Sequence, residues 1–277
     1  MLLAGCGYLG GAAARLLVAG GHDVVAVRRR HHRPPSGVLA VELDLCTDDL
    51  AALPRDIGAV VWSVAPAAPT ADAYRAAYRH GPRRVFDVLR QRGDAVRRSV
   101  LISSTGVWER DDGSEVGDDD PPDAASPTGR ELVAGEDSFR GVAPGPVVLR
   151  LGGIYGPGRT RLIDGVRSGT LAPPRSPRFT NRIHRDDGAR AIVHALALEQ
   201  PRASYIVVDD EPADLRDVLA FLAQRLGVPL PVPRDDARTS AGKRCRNTAL
   251  RRSGWAPRYP SHRDGHAALL AATVGDP

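Results

Sequence analysis

Lysine is almost missing from this 277-residue chain: all but one of its 38 basic residues are arginine, the exception being Lys243. The positive charge is therefore nearly all guanidinium, which stays ionised and shuttles protons poorly. Cysteine is scarce as well. Cys6, Cys46 and Cys245 are odd in number and widely spaced, with no Cys-x-x-Cys pair and no His-x-x-x-His beside them. That suggests neither a disulfide framework nor a zinc site and fits a reducing compartment. No apolar run nears the roughly 18–20 residues of a membrane-spanning helix, each being interrupted by Arg, Asp, Gly or Pro within about ten. The start, Met1-Leu-Leu-Ala-Gly5, has no basic region and reaches glycine at once, so neither a signal nor a transit peptide is expected. The expectation is a cytoplasmic protein with no membrane partner.

What the chain does contain is ordinary. Hydrophobic residues at 42% and charged residues at 26% describe one large or two small globular domains and exclude disorder and collagen-like repeats. The formal charge is +5 and the pI about 9.5, but acids cluster between Asp111 and Asp123. Basicity alone then gives no case for a nucleic-acid partner, and none is expected.

Leu2-Leu3-Ala4 is a short apolar run, followed by Gly5-Cys-Gly-Tyr-Leu-Gly10 and by Ala12 to Ala19, a helical stretch stopped by Gly20-Gly21. A second apolar run, Val24 to Val27, comes next, so the G-x-G-x-x-G lies in a strand–turn–helix–strand setting. There Gly5 permits a tight turn, Gly7 lets backbone approach a pyrophosphate, and Gly10 lets the helix pack on the strand. The amides of Tyr8 and Leu9 then face the anion at the helix start. Nicotinamide cofactors are distinguished at the end of the second strand, which here reads Val27-Arg28-Arg29-Arg30 with no acid between Val24 and Val41. Arginine matches the 2′-phosphate of NADP better than the 2′-hydroxyl of NAD, so NADP is expected, with NAD as the alternative. A third strand over Val38 to Leu45 places Asp44 and Leu45 at the adenine edge.

The alternation continues. A helical stretch at Thr47 to Leu53 leads to a buried strand at Ala59 to Val64 ending in Ala65-Pro66. A long helix follows at Ala71 to Arg92, then a strand from Ser99 to Ser104, a helix around Arg130 to Phe139 and a strand from Pro146 to Leu151. Strands alternating with helices imply a doubly wound parallel α/β sheet with ligands at the strand ends, where Gly5 to Gly10, Ala65 and Ser103 converge.

In order, Gly5-Cys-Gly-Tyr-Leu-Gly10, Ser103-Ser104-Thr-Gly-Val-Trp108, Leu149-Arg-Leu-Gly-Gly-Ile-Tyr-Gly-Pro-Gly158, Asn181-Arg-Ile-His-Arg-Asp-Asp187 and Tyr205-Ile-Val-Val-Asp-Asp210 resemble the extended and atypical short-chain dehydrogenase/reductases, the NAD(P)-dependent epimerase/dehydratase family. The resemblance spans residues 1 to about 260, including the tail Gly242 to Pro260. It implies a Rossmann domain over 1–155, with 181–210 returning to it, and a small substrate lobe from 156–180 and 211–277. It also implies an oxidoreductase or epimerase acting on a small carbonyl or alcohol, with Ser104 as the substrate-polarising hydroxyl. A homodimer through the Ala71 to Arg92 helix is a further expectation.

The chain departs from that family at the chemistry. The Tyr-x-x-x-Lys motif aligns with Thr128 and Leu132, and because Lys243 is preceded four residues earlier by Thr239, no such motif exists anywhere. A threonine hydroxyl cannot replace a phenol as proton donor. Thr128 and Tyr155 therefore join Ser104 as candidate catalytic residues, Tyr155 having Arg159 four residues on. Arg130 reads more simply as a solvated or ribose-contacting cation, and His184 with Asp186 and Asp187 as a structural cap. The alternative function is a dinucleotide-binding regulatory protein with impaired catalysis. Asp111 to Asp120 reads as a solvated loop rather than a metal cluster, and Ala213 to Leu226 as a surface helix.

Overall fold

The computed structural model describes residues 1–29, 34–233 and 240–274, so Arg30 and Thr239 lie outside the described residues. The chain opens with β1 (Leu2–Ala4), α1 (Tyr8–Ala19), β2 (Val24–Arg28), β3 (Val38–Glu42) and β4 (Ala59–Trp62). Then come α2 (Ala71–Arg75), a π-helical turn at Ala76–His80, α3 (Gly81–Gln91), β5 (Arg98–Ser104), β6 (Asp112–Val116), α4 (Pro127–Val142) and β7 (Pro146–Leu151). The rest is β8 (Gly153–Tyr155), α5 (Arg161–Arg167), β9 (Phe179–Thr180), β10 (Arg182–His184), α6 (Arg185–Ala197), β11 (Ser204–Val207), β12 (Ala213–Asp214), α7 (Leu215–Leu226), β13 (Gly242–Cys245), α8 (Thr248–Arg252) and α9 (His262–Val274).

Among the described residues, seven strands form one sheet in the order β11-β7-β5-β4-β1-β2-β3. The pairs β1–β2, β1–β4, β2–β3 and β4–β5 are parallel. Every residue of β1 and β4 is buried, as a parallel strand covered on both faces requires. Strand order reverses between β1 and its two neighbours, and in such sheets the ligand crevice lies beyond the strand ends at that reversal. By internal contacts the chain forms two compact units. The first is Met1–Trp108, Pro121–Arg150 and Gly188–Tyr205; the second is Glu109–Asp120, Leu151–Asp187 and Ile206–Pro277.

Some elements differ from their sequence expectation, for local reasons. The Ala71 to Arg92 helix is interrupted by the π turn because Pro82, near the start of α3, lacks the amide that would bond the Tyr78 carbonyl and its ring crowds that carbonyl. The Thr47 to Leu53 helix shrinks to a single 3₁₀ turn at Leu50–Ala52 capped by Asp49. The acidic run is only partly a solvated loop. Its strand β6 pairs with β13, Asp118 accepts the Ile206 and Ala249 amides at 2.7 and 3.1 Å, Asp120 pairs with Arg110 and Glu115 with Arg246. Asp111, Asp112 and Asp119 stay exposed. Helix α7 is half-buried rather than superficial, packing Val218, Leu219 and Leu222 into the core of the second unit and ending at Gly227 in a left-handed cap.

Candidate functional site

At the strand-order reversal the first unit holds a cleft of about 720 Å³ whose wall includes Gly5, Gly7, Arg28, Arg29, Asp44 and Ala65, a volume suited to a cofactor-sized ligand. Three ladder bonds extend past the strand ends to fix its rim: the Gly5 amide to the Val27 carbonyl at 2.9 Å, Ser63 to Ala4 at 2.7 Å, and Leu43 to Arg28 at 2.9 Å. On the far side Asp44 Oδ1 accepts the Cys46 amide at 2.8 Å. Arg84 donates to the Leu45 and Asp48 carbonyls, so an arginine of α3 holds the turn that carries Asp44 and Leu45.

The glycine turn fits a dinucleotide. Gly5 has φ +88° and a Cβ there would lie 2.4 Å from the Ser63 carbonyl oxygen; a Cβ on Gly10 would lie 2.3 Å from that of Gly5. Both must be glycine for the turn to close. Gly7 is different: its Cβ would meet nothing within 4 Å, which leaves its backbone open to a ligand. Helix α1 starts there with no side-chain cap and no acid in its first turn, the arrangement that favours a diphosphate. Leu9 and Gly10 are buried and Tyr8 is half-buried. The π turn also lines the cleft, through Ala76 and Ala77. The Ala77 carbonyl accepts the Trp62 indole at 2.9 Å and that of Ala76 the Cys46 thiol at 3.5 Å. Burial pushes the Cys46 thiol up to about 11, so it stays protonated.

At the end of β5 the neighbouring serines have different environments. Ser103 is buried and its hydroxyl donates to Glu136 Oε1 at 2.6 Å. Glu136, 1% exposed, also takes Arg150 through Nε and Nη2 (3.1 and 2.7 Å) and Arg140 at 3.1 Å, and Arg150 lies 4.7 Å over the Trp108 ring. Ser103 therefore ties β5 to α4 and β7 rather than lining the cleft. Ser104 is half-buried and its Oγ accepts the Gly106 amide at 3.0 Å, which leaves its own proton to donate. Thr128 is the second residue of α4, half-buried, while Leu132 is 3% exposed and fills the interior.

Tyr155 lies in the second unit, 7% exposed. Its ring stacks on His266 at 4.6 Å and meets His184 edge-on at 5.4 Å. Its hydroxyl is directed at Gly265, where a Cβ would lie 1.8 Å away. Burial raises its pKa well above the usual phenol range. Asp187 accepts the Arg258 and Tyr259 amides at 2.7 and 2.9 Å. His184 Nδ1 accepts the Asp186 amide at 3.2 Å. The His-x-Asp-Asp stretch thus fastens the tail of the second unit. The Glu136–Arg150 pair escaped the sequence reading, although an arginine inside the apolar run Pro146 to Leu151 signals a buried partner.

Fold and cleft together define a Rossmann-type α/β protein. Residues 1–207 match the NAD dependent epimerase/dehydratase family. The chain belongs to that family. Among solved structures it is similar to a provisionally named NAD-dependent epimerase/dehydratase from Methylobacillus flagellatus (34% identity, 99% of this chain and 98% of that one, TM-score 0.84). It is also similar to a conserved protein of unknown function from Silicibacter pomeroyi (27% identity, 98% of each chain, TM-score 0.79). MoeE5, solved with UDP-glucose and NAD, shares the fold at 24% identity over 99% of this chain and 98% of its own, TM-score 0.82. No curated protein matches the chain. Among the described residues, no helix is long and apolar enough to cross a membrane, and no group of three His, Cys, Asp or Glu is arranged to hold a metal.

Proposed function

We propose that this protein is an NADP(H)-binding oxidoreductase or epimerase-like enzyme of its family, acting on a small carbonyl or alcohol whose oxygen is held by Ser104. The observation that carries the cofactor choice is the pair Arg28 and Arg29 on the cleft wall at the end of β2. A guanidinium takes a phosphate through two parallel N–H bonds, whereas selecting the free 2′-hydroxyl calls for a carboxylate. Asp44 shapes the adenine edge and is engaged with the Cys46 amide. The diphosphate falls to Gly7 and the start of α1, with Tyr8, Leu9 and Ala65 around it.

Held in the cleft, a nicotinamide would supply hydride chemistry at carbon, and the balancing proton would go to or from the oxygen that Ser104 holds. With one oxygen lone pair engaged by the Gly106 amide, Ser104 donates its proton in a hydrogen bond to that oxygen and stabilises charge developing on it. Thr128 adds a hydroxyl but no acid of phenolic strength, so the proton comes from water or substrate. Tyr155 serves the second unit as a packing residue. Three free cysteines fit a reducing, cytoplasmic setting.

A second reading, a dinucleotide-binding regulatory protein without turnover, draws on Leu132, the residue that the sequence resemblance aligns with the family lysine, which is buried. The two are separated by a panel of small carbonyls, alcohols and sugar nucleotides such as the UDP-glucose bound by MoeE5, followed by nicotinamide absorbance. Ser104→Ala runs beside the wild type, and Gly7→Asp serves as a control that blocks the diphosphate. Turnover lost in both variants supports the enzyme. Dinucleotide binding without turnover on any substrate supports the regulatory reading, and absence of binding overturns both.

A further inference from the structure

Three imidazoles are buried together in the second unit. His184, His262 and His266 are each 1–2% exposed. His262 and His266 are one turn apart on α9, with rings 6.3 Å apart. Tyr155 lies between His266 and His184, and Tyr259 packs on His184 at 4.2 Å. Together with Leu269 in the apolar core, these rings are how the C-terminal helix is seated. His266 Nδ1 meets the His262 carbonyl oxygen at 2.7 Å, but neither ring nitrogen of His262 has a hydrogen-bond partner, and Phe221 faces that ring at 5.8 Å.

We propose that α9 is an acid-released clasp: protonation of the imidazoles buried around Tyr155 detaches the helix from the second unit while the first unit stays folded.

The charges around the rings fix the direction. Arg182, 7% exposed, acts on both His262 and His266 as a like charge, and His262 also faces Arg263. Arg185 and Arg258 do the same to His184. The acids offer little compensation. Asp187 spends both carboxylate oxygens on tail amides. Asp186 lies 3.9 Å from His184 but 42% exposed, and Asp264 is exposed and bound to Ser261. Asp209, beside Arg182, is so desolvated that its carboxyl is pushed up to about 8 and is neutral in the same range. Burial accordingly lowers all three imidazoles, His262 and His266 to about 4. A ring whose folded pKa lies below its ordinary 6.5 stabilises the seated helix at neutral pH and loses that contribution as pH falls from 6.5 through 4.

Hydrogen exchange by mass spectrometry on the whole chain reads this directly, with each pH corrected for intrinsic exchange. Between pH 7 and pH 5 the protection of α9 amides should fall roughly twentyfold for each of His262 and His266, while α1 amides hold theirs. His262→Leu should raise α9 protection at pH 7, because an unpartnered buried polar ring is replaced by an apolar one, and should remove one ring's share of the slope. His262→Leu/His266→Phe should abolish most of it. An unchanged slope in either variant, a flat wild-type profile, or equal loss in α1 would overturn the proposal.

Discussion

Removing Glu136 and removing Arg150 should cost different amounts, although each breaks the same buried pair. Glu136 is 1% and Arg150 6% exposed at the side chain. Glu136→Gln leaves the Arg150 guanidinium inside the first unit with only an amide and the Trp108 face, and an uncompensated buried charge costs about 3–5 kcal/mol. Arg150→Met is milder. Glu136 keeps Arg140 at 3.1 Å and the Ser103 hydroxyl at 2.6 Å, while methionine fills much of the vacated volume, so a loss of about 1–3 kcal/mol is expected. Arg140 cannot do the reverse service, being a cation itself. Urea titration followed by tryptophan fluorescence, which senses the buried Trp62 and Trp108, gives both values, with unchanged m-values as the check that the same transition is compared. If Arg150→Met proves as costly as Glu136→Gln, the pair is not the charge-compensated knot described above.

Gly265→Ala should destabilise the second unit by about 1–3 kcal/mol through overpacking against the Tyr155 hydroxyl, whereas Tyr155→Phe, which removes a buried hydroxyl lacking a partner, should be neutral or stabilising; thermal unfolding of both variants shows whether the order holds. Asp209 works against the histidines in pH. Its carboxyl, near 8 folded against an ordinary 3.8, contributes most stability below about pH 3.8 and loses it as pH rises through 8. Asp209→Asn should therefore stabilise the protein at pH 8 by on the order of 2–4 kcal/mol and flatten the alkaline side of a melting profile. An equal profile for the variant would mean that Asp209 is solvated.

The Rossmann half was legible because its signals are local. The run Gly5 to Gly10 carries its own steric logic, now visible as two Cβ positions that backbone carbonyls occupy and one that stands open. Apolar runs flanked by Gly and Pro located β1, β2, β4, β5 and β7. The misreadings share a cause, namely partners far away in sequence. The acids of 111–120 look solvated until β13 and the amides of Ile206 and Ala249 arrive. Ser103 looks like a cleft residue until Glu136 takes its hydroxyl. The stack of His184, Tyr155 and His266 joins three segments that no periodicity links. Only the π turn left a local trace, Pro82 within a helical pattern, and its effect on the cleft wall depended on Trp62 and Cys46 reaching the carbonyls of Ala77 and Ala76.

The arginines at the end of β2 carry the cofactor choice, and the ratio of NADPH to NADH affinity is the reading that depends on them alone. Titrations following nicotinamide fluorescence should show wild type binding NADPH at least about tenfold more tightly, as one charge-assisted contact worth about 1.4 kcal/mol would give. In Arg28→Ser/Arg29→Ser that ratio should collapse toward unity with NADH affinity little changed. Equal binding of the two dinucleotides by the wild type, or a preference that survives loss of both arginines, would mean that Arg28 and Arg29 do not select the cofactor.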